Sequence, residues 1–238
     1  MFEEFATQAF WIGLAKIIGV NIILSGDNAV VIALAARSLP QKQQKLAVFW
    51  GAGAAVVMRV ILTIFAVALL SLPWLKLIGS VLLLWIGTKL LIPEDEDPDI
   101  NSSDNLITAI KTILIADLVM SLDNVIAVAA AAGGSVLLLI LGLAISIPLV
   151  IFGATLLVKV MERWPIIITI GAGLLGFVAG EMAWEDIAIA SFTSQFPHLA
   201  KWVVAVAGAA FVVILGLALA KRHQANKHGE VAANDSAR

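Results

Sequence analysis

Asn21, Ser25, Asp27 and Asn28 fall inside one long apolar run, and adding 96 to their numbers gives Asp117, Ser121, Asp123 and Asn124 inside another. An ionised Asp at the centre of a membrane-spanning helix costs roughly 3 kcal/mol on insertion scales, so such residues face a polar pathway and not lipid. Three carboxylates with Asn and Ser oxygens beside them form a hard-oxygen donor set, suited to Mg²⁺, Mn²⁺ or Ca²⁺. The chain has no cysteine, and its three histidines, His198, His223 and His228, lie outside the long apolar runs, so thiolate and imidazole metal sites have no basis. Met120, next to Ser121, offers a thioether to a softer ion such as Mn²⁺, although an apolar filler explains it as well.

On an ideal helix Asn21, Ser25 and Asn28 share one narrow face, being four and three residues apart, and Asp117, Ser121 and Asn124 repeat it. Asp27 and Asp123 sit ~100° away from that face, so they flank it or reach it where the helix unwinds. Ser25-Gly26-Asp27-Asn28 reads as a turn and marks a candidate break in the first helix. A broken helix is tolerated at membrane depth only where its freed backbone is buried in protein or lines a cavity. Arg59, deep in the second run, neutralises one of the three carboxylates and leaves the others to be protonated or to hold a cation. The alternative is that the polar residues only bond helix to helix, with one Asp paired to Arg59.

The elements that must position these residues follow from composition. The 238 residues are 61% hydrophobic and 13% charged, against about 25% charged in soluble domains. Apolar runs at about 10–36, 46–71, 74–92, 106–132, 134–161, 164–180 and 201–220 predict seven transmembrane helices in an all-α integral membrane protein. The first run carries Glu3, Glu4 and Asp27 and lacks a basic leader, so it is not read as a cleaved signal. Arg37, Lys42, Lys45, Lys89, Lys111, Lys159, Arg163, Lys221 and Arg222 fall on one side of a seven-span arrangement, with Lys76 and Lys201 on the other. The bias puts the N-terminus outside and the C-terminus in the cytoplasm.

The repeat extends beyond the polar motif, since Pro73 and Gly79 meet Pro165 and Gly171 at an offset of 92. Each unit is then three helices, and an odd number of spans turns the second upside down, the inverted repeat of many secondary transporters. The expected organisation is a first three-helix repeat at 1–92, an acidic cytoplasmic linker at 93–105, and a second repeat at 106–185. An outer segment with the seventh helix follows at 186–220, and a polar cytoplasmic tail at 221–238. Glu181, at a helix end, is either a gate or proton relay or an ordinary interfacial charge.

No Ser-His-Asp set, P-loop or glycine-rich nucleotide loop occurs. The expectation is a transporter and not an enzyme, without a prosthetic group. Its partners are a divalent ion and the lipid bilayer, not nucleic acid, and a homo-oligomer stays open. A passive cation channel, an intramembrane aspartyl protease and a membrane assembly factor are the competing readings.

The paired segments Ser25-Gly-Asp-Asn-Ala-Val-Val-Ile-Ala33 and Asp117-Leu-Val-Met-Ser-Leu-Asp-Asn-Val-Ile-Ala127 resemble the TerC family of integral membrane proteins, most closely its YjbE-like branch, over about residues 10–220. The resemblance implies efflux of Mn²⁺ across the cytoplasmic membrane, with Asp27, Asn28, Asp117, Asp123 and Asn124 as the metal-binding set. It also implies a departure, because many members carry Glu where this chain has Asn21. On this reading Ser25, Ser121 and Asn21 add neutral oxygens, Arg59 is the counter-charge of the empty site, and export is by alternating access coupled to protons.

Overall fold

The computed structural model describes the backbone of residues 8–65, 69, 72–93, 102–132 and 135–236, and their side chains except those of Ala9, Ile23, 102–104, Asp123, Ile126, Ala129, Val136 and 227–236. Every regular element among these residues is helical. Helix α1 (Gln8–Leu24) and helix α2 (Gly26–Ala36) are the two halves of the first apolar run, separated at Ser25 and bent by 49°. The break follows the Ser-Gly pair, a recognised cause of sharp kinks. Pro40 opens α3 (Gln41–Ile64), as its fixed φ suits a helix start.

Trp74 precedes α4 (Leu75–Lys89) and takes a left-handed φ of 71°, a conformation that costs a residue with a Cβ roughly 1–2 kcal/mol. Asp186, from far along the chain, stabilises it. Its Oδ1 accepts the Trp74 amide at 3.0 Å, and its Oδ2 accepts the Leu77 amide, also at 3.0 Å. Oδ1 also caps the short 3₁₀ turn Ile187–Ile189 by accepting the Ala188 amide at 2.7 Å. Burial alone would raise the Asp186 pKa, but amides of Ala188, Leu77, Trp74 and Lys76 outweigh it and hold the carboxyl below its ordinary value.

Helix α5 (Ser102–Ala132) begins inside the expected linker, its polar first turn carrying the helix past the apolar run. The helix thus takes in residues 102–105 of that linker, while residues 94–101 lie outside the described ones. Helix α6 (Val136–Arg163) is capped by Ser135, whose Oγ accepts the Leu138 amide. Helix α7 (Ile166–Trp184) follows Pro165, then comes the brief α8 (Ala190–Thr193), and α9 (Leu199–Ser236) closes the chain. At 38 residues, α9 is about 57 Å long and takes in residues 221–236 of what the sequence reads as a polar tail.

Among the described residues, five helices are long and apolar enough to cross a membrane, and the bent pair makes a sixth span if its halves count together. Helix α4, with 15 residues, falls short of the ~17–25 that a spanning helix needs. Five or six candidate spans thus stand where the runs predict seven.

Packing is reciprocal. Helix α3 lies along α5, while α6 lies along both α1 and α2; α4 packs on α7, and α9 covers α7 and α4. A Cβ on Gly176 or Gly180 would strike the α9 backbone at Gly208 and Val204, and one on Gly208 would strike Gly176. Three glycines thus let α7 and α9 meet backbone to backbone, as small residues do between membrane helices. The exterior is apolar, and a polar cluster lies within an otherwise apolar interior. Phe152 and Ile214 are each 69% exposed, whereas Asn21, Ser25, Asn28, Arg59, Asp117 and Ser121 are buried.

Candidate functional site

Arg59 is the centre of the buried polar cluster. It rises from the C-terminal part of α3, whose contact with α5 brings Asp117 and Ser121 to one side of the guanidinium, while the last turn of α1 and the break after it bring Asn21 and Ser25 to the other. Nη2 donates to Asp117 Oδ1 at 2.7 Å and Nη1 to Asn21 Oδ1 at 2.8 Å. Nη1 also reaches Ser25 Oγ at 3.3 Å, and Nε donates to Ser121 Oγ at 3.1 Å. Each flank is internally tied: the Ser121 hydroxyl donates to Asp117 Oδ2 at 3.2 Å, and the Ser25 hydroxyl points at Asn21 Oδ1 at 3.4 Å.

The repeated i, i+4 spacing explains this geometry. An acceptor and a hydroxyl one turn apart present two oxygens to one side of a planar fork, and the repeat supplies a second such pair. Residues at equivalent motif positions thus face each other across one cation. Among the described residues, one carboxylate balances one guanidinium there, since the partner of Asp117 in the repeat is the neutral Asn21. A buried pair of this kind holds together only when its remaining donors and acceptors are satisfied, and the two serines and Asn21 do that.

A second cluster forms at the helix break. In an unbroken helix the Leu24 carbonyl would accept the amide of residue 28, but that amide instead donates to Asp27 Oδ1 at 2.8 Å. The freed carbonyl takes two side-chain donors, Asn28 Nδ2 and Asn124 Nδ2, each at 3.2 Å. Asn28 and Asn124 are motif equivalents, so this cluster also joins the two copies. Asn28 Oδ1 is buried and has no hydrogen-bond partner among the described residues. A buried acceptor left open costs about 1–3 kcal/mol, which a cation would recover. Asp27 sits half-buried in the first turn of α2, where the helix dipole favours a negative charge.

The nine sequence candidates therefore divide. Asn21, Ser25, Asp117 and Ser121 gather on Arg59; Asp27, Asn28 and Asn124 gather at the break; the side chain of Asp123 lies outside the described residues. Of the three carboxylates that Arg59 was eligible to neutralise, Asp117 is its partner. Among the described residues, no three His, Cys, Asp or Glu side chains come together as a metal-holding group. The Leu24 carbonyl is the participant that residue types do not reveal, and the Ser-Gly break is the signal that points to it. Met120 is buried in the apolar core. Glu181 pairs with Lys201 at 3.2 Å, and Glu185 bridges Lys201 at 2.5 Å and Lys76 at 3.3 Å.

The integral membrane protein TerC family matches residues 6–224 of the chain. This chain belongs to the TerC family. Among its relatives in Bacillus subtilis (strain 168), "Uncharacterized membrane protein YjbE" is 42% identical over 208 residues, covering 87% of this chain and 95% of that one. "Uncharacterized membrane protein YkoY" is 28% identical over 217 residues, 81% of this chain and 66% of its own. "Uncharacterized membrane protein YceF" is 24% identical over 239 residues, 96% and 88% of the two chains. No solved structure matches. As a TerC family member with an apolar exterior and several spanning helices, the chain is a multi-pass integral membrane protein.

Proposed function

We propose that this TerC family protein exports a divalent cation, Mn²⁺ foremost, across the cytoplasmic membrane by alternating access with proton antiport. The observation that carries the reading is the buried polar centre in which both motif copies close on Arg59, with an open acceptor, Asn28 Oδ1, at the adjoining helix break. Structural glue does not require an unpaired acceptor, and a site for a cation does.

In this proposal α4 counts as a short third span, giving seven in all, and the two three-helix units are inverted repeats. The reciprocal packing of α3 on α5 and of α6 on α1 and α2 supports that arrangement, because each unit's second helix then lies on the other unit's first. The charge bias sets the N-terminus outside and the C-terminus in the cytoplasm. Asp27 and Asp123 supply charge to the ion and Asn28 and Asn124 supply neutral oxygen. Asp117, Asn21, Ser25 and Ser121 turn to it when Arg59 withdraws. When the ion leaves outward, the guanidinium or protons replace its charge, since an uncompensated buried anion is too costly to persist.

The test is manganese content and manganese resistance of cells with and without the protein under manganese, magnesium, calcium and zinc load. A protein-dependent fall in cell manganese supports the assignment. Unchanged content under all four metals removes export as its function.

A further inference from the structure

Residues 185–198 join α7 to α9, two helices long and apolar enough to span a membrane. A connector that faces water should be polar and charged. This one has no Asp, Glu, Lys or Arg from Ile187 to Ala200, and it leaves Ile187, Phe192 and Phe196 exposed at 49%, 58% and 46%. We propose that the connector lies flat in the boundary between lipid head groups and acyl chains, with the uncharged part of the lipid as its partner and not an anionic head group.

The exposed rings are gathered and not scattered. Phe192 and Phe196 stand with centroids 5.0 Å apart, and Trp184 meets Phe196 edge-on at 6.1 Å. Trp184, Phe196, Pro197 and His198 also line an open hollow of about 370 Å³ that has no Lys, Arg, Asp or Glu among its described lining residues. Contiguous apolar surface left exposed marks contact with another molecule or a membrane. Continuity with the lipid-facing exterior selects the membrane. Leu199, Trp202, Val203 and Val206 are all exposed and fall on one stripe of α9, and the connector meets the head of that stripe at Leu199, three residues after Phe196. Aromatic residues are enriched at this level of a membrane protein. Polar ties hold the connector at a fixed height. Asp186 accepts amides from the start of α4 and caps the turn Ile187–Ile189, while Glu185 pairs with Lys201 in the first turn of α9.

The chain has no cysteine, so a single introduced thiol carries the test. Phe192→Cys, Phe196→Cys and Leu199→Cys, with Lys42→Cys in the exposed first turn of α3 as the water control, are labelled with the polarity-sensitive dye nitrobenzoxadiazole in the full-length protein. Each is then placed in phosphatidylcholine nanodiscs. All of these side chains are exposed, so the circular dichroism spectra should match the wild type. The apolar face of an interfacial segment sits ~5–10 Å into the boundary of head groups and acyl chains. The connector labels should therefore emit to the blue of the control and resist iodide, and a nitroxide near the top of the acyl chain should quench them at least about twofold more than one near its end. Added phosphatidylglycerol should leave that pattern unchanged. Emission and iodide quenching equal to those of the control would mean a loop in water, and shielding from both iodide and lipid nitroxides would mean that protein, such as a second copy of the chain, covers the face. Either result overturns the proposal, as does insertion that requires anionic lipid.

Discussion

Arg59 and Asp117 make the sharpest single-residue test, because removing one partner strands the other in a buried site. Asp117→Leu and Arg59→Leu should each destabilise the protein by about 3–5 kcal/mol, while the double variant loses much less. Thermal unfolding in detergent over the four proteins reads the coupling directly. Additive losses would mean that the pair is not the energetic unit its 2.7 Å contact indicates. Asp27→Asn and Asp123→Asn address transport instead. Each removes charge without changing shape, so membrane insertion should be normal and manganese export lost. Normal resistance in either one excludes that Asp from the metal site.

Helices have their own weak points, and Asp186 is one. It joins two segments 112 residues apart by accepting amides at the start of α4. Asp186→Ala should cost about 1–3 kcal/mol, as left-over buried amides do. Because its folded pKa lies below the ordinary ~3.9 of a free Asp, the unfolded chain binds the proton first as pH falls. The contribution is therefore complete above about pH 4–5 and is lost as pH drops through the lower folded value. Melting curves between about pH 2.5 and 6 should show wild type and Asp186→Asn converging at the acid end. A gap that stays constant would assign the effect to shape alone.

Glu185 shares the direction, since Lys201 and Lys76 outweigh the burial that raises its pKa, so it belongs to both curves and cancels in their difference. At the other contact, Gly208→Leu should force α9 away from α7 and cost roughly 1–3 kcal/mol or more by overpacking. Legibility at this scale was uneven. Apolar length located α3, α5, α6, α7 and α9 well, and Ser25-Gly26 announced the break. Nothing in the residue types around Asp186 links it to Trp74, because a carboxylate that caps a distant helix leaves no local spacing. Likewise, Asn28 and Asn124 are visible as polar residues, but their shared acceptor is a backbone carbonyl, which every residue has.

For the whole molecule, proton coupling is the decisive quantity. In proteoliposomes with a pH dye inside, manganese movement should drive opposing proton movement, and an imposed pH gradient should drive manganese. The Asp123→Asn protein serves as the blank. Equal metal flux with no proton signal and no response to the gradient would favour a passive channel.

The guanidinium at the centre also breaks a symmetry. Offsets of 92 and 96 from Arg59 land on Ile151 and Thr155, and the stretch between reads Ile-Phe-Gly-Ala-Thr, without a charge. Thr155 spends its hydroxyl on the Ile151 carbonyl at 2.7 Å. Two inverted units of equal chemistry would make the inward- and outward-facing forms mirror states of the same energy. Under the proposed alternating access, a guanidinium at this place in α3 with no charged counterpart at the matching place in α6 would lift that degeneracy, giving the empty protein a preferred resting side that the ion reverses.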